Sequence, residues 1–176
     1  MTIDQISGAC APYSSRAFVW VLVSRVVPTI FLALACFAIA PYQPHVVGGP
    51  SAGELSAATF VFLAVVVAPL YETLLFVIPV GLMVVNSEKV RTNTTLQIVI
   101  CCFVGIGFAL IHLRPFLHLL PIAVFGILSS VIVMQHWLID RYGAAFLFCW
   151  VAHMICNAMG VMLDYILAFN QLLPSD

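Results

Sequence analysis

The chain has 176 residues, of which 64% are hydrophobic and only 7% charged, and its formal net charge is −1. Soluble domains carry about a quarter charged residues, so this composition excludes a dispersed globular domain and describes an integral membrane protein. The near-neutral charge excludes nucleic acid and anionic membrane surfaces as leading partners, since both need a basic face.

A spanning helix takes roughly 20 apolar residues, and five segments reach that length, at about 17–40, 57–85, 95–113, 116–138 and 144–169. The predicted fold is therefore all-α, a polytopic bundle of about five transmembrane helices. The first segment contains Arg25, a snorkelling or helix-pairing charge with Glu72 or Asp164 as its candidate partner. Its end, Ala38-Ile39-Ala40, also resembles a signal-peptide cleavage site, although Pro41 is ill suited to follow a cut. A Pro- and Gly-rich stretch from Pro41 to Glu54 leads to the second span, which carries Glu72. The polar run Asn86 to Thr95, with Glu88, Lys89 and Arg91, is expected to be a loop. The third span closes on His112, and Arg114-Pro115 turns the chain into the fourth, which is flanked by His118 and His136 without an assigned role. After Asp140-Arg141-Tyr142-Gly143 the last span carries His153 and Asn157.

Loops this short make neighbouring helices antiparallel. Five crossings put Arg16, Lys89, Arg91 and Arg141 on one side and Arg114 on the other, so the N terminus is expected in the cytoplasm. The size and short loops suit a bacterial inner membrane. Trp137, Trp150, Tyr142 and Tyr165 fit interfacial anchoring. The six cysteines (Cys10, Cys36, Cys101, Cys102, Cys149, Cys156) show no CxxC spacing and read as small buried hydrophobes.

An ionisable group at mid-bilayer costs at least ~2.5–3.5 kcal/mol, which makes it a functional candidate. Glu72 is such a group, with no Lys or Arg in its own span. His153 and Asn157 stand four apart and project from one helix face. Gly160 and Asp164 extend the stripe, all within about 40° of His153. A polar stripe must face protein or water, and helix–helix hydrogen bonding is its simplest use. Ala152, Cys156 and Gly160 form a small-residue row beside it, which predicts close packing on a neighbour. A carboxylate, two imidazoles and a carboxamide suit hydrolysis. The carboxylate can take a proton from water, an imidazole can share it, and N–H donors can hold an oxyanion. No Ser, Thr or Cys is paired with a base, so water is the expected nucleophile.

The motifs around these residues resemble those of the CPBP family, the CAAX-protease and bacteriocin-processing intramembrane endopeptidases. Its three motifs, P-x-x-E-E-x-x-F-R-G, F-x-x-x-H and H-x-x-x-N, are matched in order by Pro69 to Ile78, Phe108 to His112 and His153 to Asn157. The resemblance covers about 57–160. It implies a CPBP-like core at 57–169, after an N-terminal segment with the first helix at 1–56 and before a short tail at 170–176. It implies that Glu72 and His112 activate water, that His153 and Asn157 stabilise the oxyanion, and that membrane-proximal peptides are cut. Those peptides would be prenylated CAAX proteins or bacteriocin leaders, with lipid as the surrounding partner. The implied mechanism needs no metal, while two histidines and a carboxylate are also a set that can ligate zinc.

The family's second Glu, its Arg and its Gly are here Thr73, Val77 and Ile78. The two charges would lie at i and i+4 on one helix, so losing both orphans neither. An inactive CPBP-like scaffold or bacteriocin immunity protein is therefore an alternative, and a small proton-coupled or metal transporter is a third. Counted at ~1.5 Å per residue from the cytoplasmic ends, Glu72 lies ~20 Å deep, His112 ~26 Å and His153 ~14 Å. Their convergence requires tilted helices or unequal span ends.

Overall fold

The computed structural model describes residues 15–39, 56–112 and 116–171. They form α1 (Ser15–Ile39), α2 (Ala57–Phe62), a π-turn (Leu63–Val67), α3 (Ala68–Asn86), α4 (Glu88–Thr92), α5 (Thr94–Leu110), α6 (Phe116–Trp137) and α7 (Tyr142–Gln171). No strand occurs among the described residues. Three stretches are long and apolar enough to cross a membrane: Ala58–Asn86, Phe116–Trp137 and Tyr142–Leu163. Leu22–Cys36 and Thr94–Leu110 are shorter apolar helices. Cys10, the stretch from Pro41 to Glu54, Arg114, and the side chains of Arg16, Asp164 and Tyr165 lie outside what is described.

Two expectations change at the element ends. The run expected as a loop after Asn86 contains α4, opened by a side-chain cap and closed by the Asn93 backbone N–H on the Lys89 carbonyl. Ser87 Oγ accepts from the Val90 N–H, and Asn93 Oδ1 accepts from the Leu96 N–H to open α5. Gln97 then donates back to the carbonyls of Val90 and Arg91. The third span is also shorter than expected. Helix α5 ends at Leu110, and Ile111 and His112 form a turn in which the His112 N–H bonds the Ala109 carbonyl, i to i−3.

Helix α6 is the centre of the bundle, packing against α1, α3, α5 and α7. Its Ile132, Val133 and Met134 meet Val77, Val80 and Val84 of α3, Cys101 of α5, and Ala145, Phe148 and Cys149 of α7. Helices α5 and α6 cross backbone to backbone at two glycines. A Cβ on Gly126 would stand 2.9 Å from the Gly105 Cα, and one on Gly105 would stand 2.3 Å from the Ile127 nitrogen. Outside this core the side chains of Trp20, Phe31, Phe103 and Phe116 are exposed. Large apolar groups on the periphery are what a surface solvated by lipid requires.

Arg25 pairs helices, as one of its two expected roles has it, through a carbonyl of α6. It is buried, and its Nε–H donates to the Leu128 carbonyl of α6 at 3.1 Å, while Glu72 is engaged by histidines. A helical carbonyl such as that of Leu128 has a second lone pair to offer. Cys36, Cys101 and Cys149 are buried, Cys102 and Cys156 are half-buried, and all five are free thiols.

Candidate active site

The buried face of α3 runs through Pro69, Thr73, Phe76, Val80 and Val84, the i, i+4, i+7 progression of a helix held on one side. Glu72 sits at the edge of that face, which lets its carboxylate reach inward while 27% of the side chain stays exposed. Two imidazoles meet it. His153 Nε2, from α7, lies 3.1 Å from Glu72 Oε2, and His112 Nε2, from the end of α5, lies 3.5 Å from the same oxygen. Three helices thus bring a carboxylate and two histidines to one point. Glu72 stands fourteen residues before the end of α3, His112 eighteen after the start of α5, and His153 eleven after the start of α7. At 1.5 Å per residue these levels differ by up to about 10 Å, so the helices are staggered or inclined to make them meet.

The two histidines do different things. His112 Nδ1 lies 2.8 Å from the Phe108 carbonyl. A carbonyl only accepts, so Nδ1 carries the hydrogen. In the neutral ring Nε2 then presents a lone pair toward Glu72, and the pair can share one proton. His153 is arranged the other way. Its Nε2 faces the carboxylate at hydrogen-bond distance, while its buried Nδ1 has no hydrogen-bond partner. That is the tautomer with the hydrogen on Nε2, donating to Glu72. With His112 neutral the carboxylate oxygen has a donor on one side and a base on the other, and with His112 protonated both rings donate to it.

Phenylalanines wall this constellation. The ring centroids of Phe76 and Phe108 are 4.2 Å apart, Phe108 lies 4.5 Å from His112 edge-on, and Phe125 lies 4.9 Å from His153. His153 is 4% exposed against 24% for His112, so the site opens at the Glu72–His112 edge and is closed behind His153. Phe125 is a site residue that sequence reasoning missed. One more Phe on an apolar helix carries no signal.

Asn157 is near the site without touching the carboxylate. Its Nδ2 donates to the Ala64 carbonyl in the π-turn at 2.9 Å, which leaves one amide hydrogen over. Trp150 is a neighbour in the same seam, its Nε1 donating to the Val66 carbonyl at 3.4 Å. The indole N–H expected to anchor at the interface is thus bonded to a carbonyl within the bundle. The expected close packing along Ala152, Cys156 and Gly160 holds at Ala152 and Cys156, which pack in the core with Phe76, Phe108 and Phe125, and fails at Gly160. Ala152 is fully buried, whereas a Cβ on Gly160 would meet nothing within 4 Å.

Among the described residues no three His, Cys, Asp or Glu side chains are grouped to hold a metal ion. No family model matches the chain, and no curated protein or solved structure matches it significantly.

Proposed function

We propose that this chain is an intramembrane endopeptidase of the CPBP type, crossing the bilayer five times with its N terminus in the cytoplasm. The observation that carries the proposal is the meeting of Glu72, His112 and His153 from three apolar helices at one carboxylate oxygen. Helices α3 and α5 to α7 form the working core, and α1 buttresses α6. The substrate class is a membrane-proximal peptide, of the prenylated CAAX or bacteriocin-leader kind, entering at the open Glu72–His112 edge.

In this mechanism a water molecule sits between the Glu72 carboxylate and the His112 Nε2 lone pair. As its oxygen attacks the peptide carbonyl, its proton passes to Glu72, with His112 sharing it. A carboxyl that has gained a proton is a weaker acceptor than a carboxylate. Its hold on the His153 Nε2–H loosens at the moment the oxyanion forms, and that N–H and the remaining N–H of Asn157 turn to the oxyanion. Collapse of the tetrahedral intermediate breaks the C–N bond, and the stored proton goes to the leaving amine. Products are a carboxylic acid and an amine, with no net proton change at the enzyme. No step requires a metal.

An inactive CPBP-like scaffold is the alternative that one observation favours: Thr73 and Val77 are both buried in the core where the family carries a charged pair. Cleavage of prenylated CAAX peptides and small leader peptides by the purified protein separates the two. Turnover lost in Glu72→Gln and in His153→Ala, and retained by the parent with a chelator present, supports the water mechanism. Turnover unchanged in Glu72→Gln refutes the assignment and leaves the scaffold. Turnover abolished by chelator assigns the two histidines and Glu72 to a metal instead.

A further inference from the structure

Helix α3 has a proline as its second residue, and what surrounds that proline is unusual. Pro69 is buried one turn before Glu72. Within a helix, a proline ring collides with the carbonyl four residues back and offers no N–H to it. The chain avoids the collision by widening just before it, into the π-turn Leu63–Val67, where the Ala68 N–H bonds the Leu63 carbonyl, five residues back. The next bond of that register would run from residue 69 to the Ala64 carbonyl. Residue 69 is proline, so this bond cannot form, and in a bilayer no water replaces it. The donor that reaches the Ala64 carbonyl is the Asn157 side-chain amide, from α7, at 2.9 Å.

We infer that Asn157 is a positioning residue that supplies the hydrogen bond Pro69 cannot make, and so locks α7, with its His153, against the segment that carries Glu72. The inference rests on the peptidase proposal only for why the lock is needed. Three links from one face of α7 join it to this segment: Trp150 to Val66, His153 to Glu72 and Asn157 to Ala64. The outer two are bonds to backbone carbonyls, which fix the helix in register. The middle one is the contact whose geometry the chemistry depends on. The carboxamide spends one hydrogen on this lock and keeps its other for the oxyanion.

The test compares the full-length protein, reconstituted in lipid, with Asn157→Leu, Pro69→Ala and the double variant. Leucine keeps the branched shape and removes the donor, whereas alanine at 69 restores a backbone N–H one π-turn after Ala64. Asn157→Leu is expected to raise the unfolding constant in a denaturing-detergent titration about tenfold, the effect of leaving a half-buried carbonyl bare among apolar helices. In the Pro69→Ala background the same change is expected to raise it less than threefold. In protein labelled with 15N-histidine, Asn157→Leu should move the His153 ring resonances in the direction that Glu72→Gln moves them, and Pro69→Ala should return them. Equal effects of Asn157→Leu in both backgrounds, or a His153 spectrum unmoved by it, would overturn the inference. If Asn157→Leu does not fold, recovery of folding in the double variant supports the lock and its failure overturns it. Neither readout uses turnover. Activity that survives Glu72→Gln would therefore sink the peptidase proposal while leaving this coupling to stand or fall by itself.

Discussion

Adding one methyl group at Gly105 should separate two helices and disable the site two turns away. A Cβ built there falls 2.3 Å from the Ile127 nitrogen, 2.5 Å from its Cγ1 and 2.7 Å from its Cα. Non-bonded heavy atoms settle at about 3.5–4 Å, and two of these three obstacles are backbone, which cannot swing aside. Helices α5 and α6 must then part by about 1 Å, at a cost of about 1–3 kcal/mol for overpacking. Helix α5 also carries His112 at its end, already 3.5 Å from Glu72. Moving a catalytic group by about 1 Å typically costs about a hundredfold in rate. Gly107, two residues on, is the control, because a Cβ there meets nothing within 4 Å. Gly107→Ala should leave turnover unchanged and gain up to about 1 kcal/mol of helix propensity. Unfolding in a detergent titration and peptide cleavage, run side by side on both variants, measure the two effects. Gly105→Ala that matches the parent in both, or Gly107→Ala that is equally damaging, would refute the close crossing.

Other substitutions test other parts of the same frame. Val77→Arg places an unpaired cation in the core, where Val77 is 6% exposed. It should cost about 3–5 kcal/mol, with part regained when Thr73→Glu is added one turn earlier; equal folded yields of the single and double variants would contradict a shared environment. Trp150→Phe removes the bond to Val66 and should cost about 1 kcal/mol with less than a tenfold loss of turnover, whereas unchanged stability would show that this link carries no weight. Phe125→Leu opens space against the buried face of His153 and should loosen that ring, read as faster exchange of its 15N resonances, with a stability loss of about 1 kcal/mol. A ring that stays as rigid as in the parent would show that Phe125 does not hold it.

Much of this frame can be read from residues alone. Long apolar runs between short polar ones locate the helices, because lipid tolerates little else. Glu72, His153 and Asn157 stand out because an ionisable or amide group inside such a run needs a reason to be there. The features that escape notice depend on pairings between distant residues. Leu63–Val67 is as apolar as any neighbouring turn, so only Pro69 hints at the π-turn, and nothing local names Asn157 as its remedy. Gly105 and Gly126 are ordinary glycines until the two helices are laid together. Arg25 lacks an acidic neighbour in sequence, and a carbonyl partner such as Leu128 leaves no mark, since every residue has one. The unequal depths of Glu72, His112 and His153 look like an obstacle only while all helix ends are taken as level.

The central place of α6 bears on the order in which the molecule can be built. Helices α1, α3 and α5 are all synthesised before it, and α6 is the surface on which each of them packs. The bond from Arg25 to Leu128 joins residues 103 apart in the chain. At translation rates of about 5–20 residues per second, the first helix waits about 5–20 seconds for its acceptor to be made. The bundle is thus closed by a late arrival, like a keystone, and a chain interrupted before residue 116 lacks the surface on which its earlier helices pack.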